Sequence, residues 1–188
     1  TSLVGFKRLT AFDASLAAGR LREQVPYDVR DYTIRFIMEV VDSTDAESLG
    51  LAFARAFDEN PETEAGHSVR EALVRRINLY RNVEERIGLP AVLGLEAPEA
   101  VRGYLEEAFG IKVFEIPTGA PSVPGYRLQA ILDEALDDAG VEVHTGRSVV
   151  DFEAGGDHIN RLLVEDEFGG EADVQEASEF VLATGGLM

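Results

Sequence analysis

Segments with helical apolar spacing alternate with short strand-like apolar runs along this chain, and that alternation constrains its fold most. Such a succession packs as α/β layers. Residues 1–6 read as a short apolar strand. Ala14, Ala17, Ala18 and Leu21 then recur at helical spacing, so residues 11–23 read as a helix packed through small side chains. Residues 31–41 mix Tyr32, Ile34, Phe36 and Val40 with polar neighbours, which favours an extended strand. Thr44 and Glu47 form a capping box ahead of Leu49, Phe53 and Phe57, and Asn60-Pro61 stops that helix. Val69, Leu73, Ile77, Tyr80 and Val83 mark a longer helix, and residues 88–93 read as a turn and short strand. Pro98 suits a first helical position ahead of Val101, Tyr104, Leu105 and Ala108, with Gly110 as the stop and a strand at 111–116.

Residues 117–125 form a compact loop, in which Pro117, Pro121 and Pro124 fix backbone angles and Gly119 and Gly125 relax them. The clearest helix follows: Leu128, Ile131, Leu132, Ala135, Leu136 and Ala139 share one face, and Gly140 ends it. Residues 141–144, 148–152 and 161–165 read as short strands joined by Gly-rich turns. Residues 179–183 read as a last strand whose continuous apolar run suggests burial on both faces. The fold class is mixed α/β, loosely divided near Val123. Residues 1–123 form an α/β layer, and residues 124–188 a helix-plus-meander unit.

Composition removes several classes of function. The 188 residues contain no cysteine, so disulfides, thiolate metal sites and cysteine nucleophiles are excluded. No apolar run approaches the roughly 20 residues of a membrane-spanning helix, and no basic-then-apolar leader opens the chain, leaving the cytoplasm as the expected location. Opening on Thr1 rather than Met suggests a chain cut from something longer. Asp and Glu total 35 against 17 basic residues, a formal net charge of −18, and only Lys7 and Lys112 are lysines. With 45% hydrophobic residues this is a folded acidic protein rather than a disordered one. Its surface reads as adaptation to a high-salt cytoplasm, the plainer reading being an ordinary acidic enzyme. Binding to nucleic-acid phosphate is disfavoured.

The end of the last strand carries the sharpest chemical signal. Ala183-Thr184-Gly185-Gly186 strips away side-chain bulk just where an open α/β sheet presents main-chain N–H groups to a ligand. A tight turn needing glycine accounts for the same residues. The three histidines, His67, His144 and His158, have no metal-ligand spacing. Arg70, Arg75, Arg76, Arg81 and Arg86 span the second long helix and are expected to pair with Glu71, Glu84 and Glu85. The acidic pairs Asp137-Asp138 and Glu106-Glu107 read as solvated helix faces.

On these residues a resemblance can be stated. "EFVLATGG" is similar to the second flavin motif of two-dinucleotide-fold flavoproteins. "PTGAPSVPGYRLQAILDEALDDAGVEV", at 117–143, resembles the B subunit of the anaerobic glycerol-3-phosphate dehydrogenases, as do "LVGFKRLTAFDASLAAGRLRE" at 3–23 and "IGLPAVLGLE" at 87–96. The resemblance covers most of the chain and is weakest between residues 42 and 86.

It implies that residues 124–188 are the carboxyl half of a flavin-binding dinucleotide fold with a small β meander, and residues 1–123 a substrate-side or interface layer. It also implies FMN or FAD as cofactor, a catalytic FAD subunit and an iron–sulfur subunit as partners, and oxidation of glycerol 3-phosphate to dihydroxyacetone phosphate with electrons passing to quinone. Through those partners the protein would sit peripherally at the inner face of the membrane. Carried over residue by residue, Ala183, Thr184, Gly185 and Gly186 would line the flavin by main-chain contact, with Val149 touching the nucleotide; Val149 reads equally well as an ordinary strand valine. Ser122 and Arg127 would face an anionic substrate, a guanidinium suiting phosphate through its paired donors. Arg127 also reads as a solvated first-turn residue and Ser122 as a turn or cap. No catalytic residue is assigned. The superfamily's G-x-G-x-x-G unit is absent from the 188 residues, so the chain alone should not hold a flavin well. Two other readings stand beside this one: a non-catalytic assembly subunit using a flavoprotein-like fold, and an FAD enzyme of the fumarate-reductase or amino-acid-oxidase type.

The charge makes a direct prediction. The thermal midpoint of the chain should be higher in molar KCl than in dilute buffer, and equal midpoints would remove the case for salt adaptation.

Overall fold

A computed structural model of the protein describes residues 1–35, 41, 46–81, 86–120, 122–167, 169 and 172–185, the side chains of 46–48 excepted. It forms two compact units, Thr1–Glu134 and Ala135–Met188.

The first unit is built around a four-stranded parallel sheet. Its strands are β1 (Ser2–Phe6), β2 (Arg30–Ile34), β3 (Arg86–Pro90) and β4 (Lys112–Ile116), in the order β2-β1-β3-β4. Parallel neighbours cannot be joined by a hairpin, so helices must cross between them. Those helices are α1 (Ala14–Arg22), α2 (Ala46–Glu59), α3 (Val69–Asn78) and α4 (Pro98–Phe109). All five residues of β1 are buried, as expected for a strand covered on both faces. On one face Leu3 packs with Ala14, Ala18 and Val29, so α1 approaches through alanines. On the other, Val4, Phe6, Ile34, Ile87 and Leu89 meet the apolar sides of α2, α3 and α4. Phe6 and Phe53 lie 5.3 Å apart, centroid to centroid, in that layer.

Local chemistry sets the helix ends. Asp13 caps α1 by accepting the Leu16 N–H at 2.9 Å, which starts the helix later than residue 11. Ser68 and Glu71 form a reciprocal capping box on α3. Gly110, the stop read from the sequence, closes α4 as a left-handed cap with φ 67°. The Val113 N–H, and then the Lys112 ammonium, hold the Glu106 carboxyl below its ordinary value and staple the start of β4 to α4. The expected Thr44–Glu47 capping box lies outside the described residues, as do residues 36–40 and Val83. Helix α3 ends at Asn78, and Tyr80 beyond it stacks on Tyr32 of β2.

Two readings of this unit are corrected, and a third is tested only in part. Gly88 is not in a turn but in the middle of β3, where a Cβ would come 2.7 Å from both Leu3 Cδ2 and Phe114 Cζ. Glycine is there for close strand packing. Pro124 and Gly125 are not loop residues; they lie in the first turn of α5 (Val123–Asp138), where proline's missing N–H costs nothing. Two arginines of the set, Arg70 in α3 and Arg81 just past its end, bind backbone carbonyls. Arg70 Nε donates to Phe57 O at 2.9 Å, and Arg81 Nη1 to Phe109 O at 2.9 Å. These carbonyls sit in the last turns of α2 and α4, which carry no basic residue of their own. Glu84 and Glu85 lie outside the described residues.

The second unit holds an antiparallel meander of β5 (Arg147–Gly155), β6 (His158–Asp166) and β7 (Asp173–Glu176). Gly156, with φ 74°, turns β5 into β6. The strands expected at 148–152 and 161–165 are the interiors of β5 and β6, and β7 is additional. No strand forms at 141–144. None forms at 179–183 either, where Val181 and Leu182 are 88% and 87% exposed. A strand needs a hydrogen-bonding neighbour, and a buried one needs layers over its faces as well. Neither sheet takes this segment as a neighbour, so its apolar composition alone does not make it a buried strand. The boundary of the units falls within α5 rather than at Val123, because Val123 is buried with the first unit's core. No described helix is long and apolar enough to cross a membrane.

Phe53→Ala should cost roughly 3–5 kcal/mol in denaturant unfolding. Leu16→Ala, 65% exposed on α1, should stay within about 0.5 kcal/mol of the parent. Equal effects would mean that the core is not where the packing puts it.

Candidate functional site

Open parallel sheets take ligands at the carboxyl ends of their strands. Here that edge carries a polar network built by β3, β4, α2 and α5. As β3 ends, the chain turns through Ala91 to Ala97 into α4. Gly94 adopts φ 90°, and a Cβ there would come 2.6 Å from Asp58 Oδ1. That space lets the Asp58 carboxylate, reaching over from α2, accept the N–H groups of Leu95 at 2.6 Å, Glu96 at 2.9 Å and Ala97 at 3.2 Å. Ala97 has no side chain able to cap α4. Asp58 supplies the acceptor, and its charge complements the positive end of that helix.

Arg127 grips the same turn from the other side. Its Nη1 donates to Glu115 Oε2 at 2.6 Å, and its Nη2 to Glu115 Oε1 at 3.0 Å, a two-point pair. Its Nε donates to the Gly94 carbonyl at 2.8 Å, and Nη2 reaches that carbonyl too. Glu115 Oε1 also accepts the Leu93 N–H at 2.8 Å. The side chains are 15% and 20% exposed, so the pair is shielded from salt more than a surface bridge. Arg127 is therefore neither a solvated first-turn residue nor an open fork. A substrate phosphate would have to displace Glu115 to be gripped by two donors. Ser122, just ahead of α5, accepts the Gly125 N–H on its hydroxyl at 3.3 Å, the geometry of a turn or cap.

The remaining candidates lie in the second unit. Val149 is in β5, 59% exposed. Ala183, Thr184 and Gly185 are exposed, irregular backbone; Gly185 has φ 76° and open space around its Cβ position. Gly186 lies outside the described residues. Ser122 and Arg127 thus belong to the first unit, and Val149 with 183–185 to the second. Among the described residues no cluster of His, Asp and Glu suits a metal ion. Each histidine sits near a single carboxylate: His67 by Glu71, His144 by Glu142 and His158 by Asp157.

Sequence reasoning missed Asp58 and Glu115. An acid ending a helix reads as solvent-facing, and nothing near Asp58 in sequence points to a turn 36 residues on. Gly94 in "VLGLE", just ahead of a helix opened by Pro98, was the usable signal for a carboxylate-filled turn.

Comparison with known proteins adds what the geometry does not. No protein-family model matches the chain, and no solved structure does. A probable B subunit of anaerobic glycerol-3-phosphate dehydrogenase, found in two strains of Halobacterium salinarum, is 38% identical over 192 aligned residues. The alignment covers 100% of this chain and 44% of the relative, so the chain spans less than half the relative's length. The anaerobic glycerol-3-phosphate dehydrogenase B subunit of Pectobacterium carotovorum is 31% identical over 148 residues, covering 79% of this chain and 33% of that protein.

If Arg127 is a structural clamp, Arg127→Ala should cost roughly 2–4 kcal/mol, since it leaves Glu115 part-buried without its cation. Arg127→Lys should recover less than half of that, because a point charge cannot serve both Glu115 and the Gly94 carbonyl. Chemical denaturation of the three proteins measures this, and a neutral alanine variant would return Arg127 to the substrate-binding candidates.

Proposed function

This chain is a homologue of the B subunits of anaerobic glycerol-3-phosphate dehydrogenases, and from that premise we propose that it forms part of a flavin-dependent oxidoreductase subunit. The reaction is oxidation of glycerol 3-phosphate to dihydroxyacetone phosphate, with electrons delivered toward quinone. The protein works in a complex with a catalytic FAD subunit and an iron–sulfur subunit. It lies on the cytoplasmic side and meets the membrane only through partners. The observation that carries this reading is the 38% identity along the whole chain. The surface charge of −18 supports a protein suited to high salt.

FMN or FAD is the proposed cofactor, and bound flavin would supply the two-electron chemistry. The chain's own residues fit a flavin in part. Thr184 and Gly185 offer exposed, side-chain-poor backbone with open space at Gly185, which suits main-chain contact with a flat ring. The phosphate-cradling glycine unit is absent from the 188 residues, and the strand expected to deliver Thr184 is not formed. In the reading proposed here, residues 124–188 are the carboxyl half of a flavin fold whose phosphate-binding half is contributed by other parts of the full-length protein. No catalytic step is assigned to this chain. Its role is to help hold the cofactor and to present the first unit to substrate or partner.

Expressed with the coding sequence that surrounds it, the protein should purify yellow with flavin absorbance, while the 188-residue chain alone should be colourless. A colourless full-length protein that still co-purifies with the catalytic subunit would overturn the cofactor assignment and leave an assembly role.

A further inference from the structure

Helix α5 departs from α3 and α4 in what it does with its apolar face. Val69, Leu73 and Ile77 of α3 are buried, as are Val101, Leu105 and Phe109 of α4. In α5 only Val123 is buried, although Leu128, Ile131 and Leu132 recur at the same helical spacing. Leu128 and Ile131 are 57% and 63% exposed, and all three residues belong to the first unit.

This exposure is not that of a loosely attached helix. Val123 lies in the first unit's core, and Arg127, one turn on, is bonded to Gly94 and Glu115. Residues four apart share a side of a helix, so Val123 and Arg127 anchor α5 along one side. Leu128, Ile131 and Leu132 lie along another. The start of the helix is therefore fixed while its apolar stripe faces away from the packing that fixes it. Amphipathic helices draw most of their stability from a covered apolar face, and contiguous exposed apolar side chains mark an interaction surface.

Two observations select what covers the stripe. The Halobacterium salinarum relative aligns with all of this chain but with only 44% of itself. A subunit of that length has more than half its residues still to be placed against these. A second copy of the chain is disfavoured by charge. Helix α5 carries Asp133, Glu134, Asp137 and Asp138, and its one cation, Arg127, is committed to Glu115. Pairing two such helices, on chains of net charge −18, sets acids against acids.

We propose that Leu128, Ile131 and Leu132 form an internal interface of the full-length subunit. The stripe is covered by an apolar surface from the part of that subunit outside the 188 residues. The proposal rests on reading the chain as part of a longer B-type subunit, and it requires no flavin.

The absence of cysteine from the 188 residues suits the stripe to thiol labelling. Ile131→Cys is labelled in the 188-residue chain and in the protein expressed with its surrounding coding sequence. Mass spectrometry of the peptide gives each rate, taken relative to the same protein in denaturant. The 188-residue chain should be monomeric by light scattering and label readily, and the full-length protein should label about tenfold or more slowly. Ile131→Asp should lower the thermal midpoint of the full-length protein and leave that of the 188-residue chain level. Equal labelling of the two proteins would overturn the proposal, as would equal shifts of the two midpoints. Protection of position 131 in the 188-residue chain would also overturn it, assigning the cover to the second unit in a monomer or to a second copy in a dimer. A colourless full-length protein with position 131 protected would uphold this interface while the flavin assignment fails. A yellow one with position 131 open would do the reverse.

Discussion

Burial of β1 on both faces is the constraint on which the first unit depends. Its five residues carry a sheet with parallel partners on each side, and its two faces demand different covers. Leu3 faces the alanine side of α1, while Val4 and Phe6 face the large side chains of α2 to α4. Period-two alternation within one short strand thus sorts the helices into a thin layer and a thick one. Glycine completes the arrangement: Gly88 lets Leu3 and Phe114 close over β3 where any side chain would hold them apart.

Much of this was legible from periodicity. Ala14 and Ala18, Leu49, Phe53 and Phe57, and Val69, Leu73 and Ile77 recur at helical spacing and are all buried. Pro98 and Gly110 bound α4 because each satisfies a local backbone requirement that a sequence displays directly. What was not legible depends on distant partners. Gly88 resembles a turn glycine until the strands beside it are known. Residues 179–183 have the composition of a buried strand, yet composition does not supply the neighbouring strand or the covering layers. Asp58 and Glu115 look like solvated acids because the partners of Asp58 lie 37 to 39 residues away along the chain and those of Glu115 lie 12 and 22 away.

The candidate residues divide according to the same logic. Ser122 and Arg127 are tied into the fold of the first unit, one at a turn and the other across the exit of β3. Val149 and the 183–185 segment are exposed in the second unit, available to whatever approaches their backbone. The comparisons say which proteins the chain is similar to, and the structure distinguishes residues committed to architecture from residues left accessible.

The contacts of Arg70 and Arg81 have a consequence for the ionic balance of the molecule. Each directs its guanidinium at peptide oxygens ending a neighbouring helix, which are uncharged acceptors. The three helices of the thick layer are thereby stitched together without neutralising a single acid. The stitches, being part-buried bonds to dipoles, are little weakened by concentrated electrolyte. At these two joints cohesion draws on no carboxylate, so acids elsewhere on the surface can be gained or lost without loosening them.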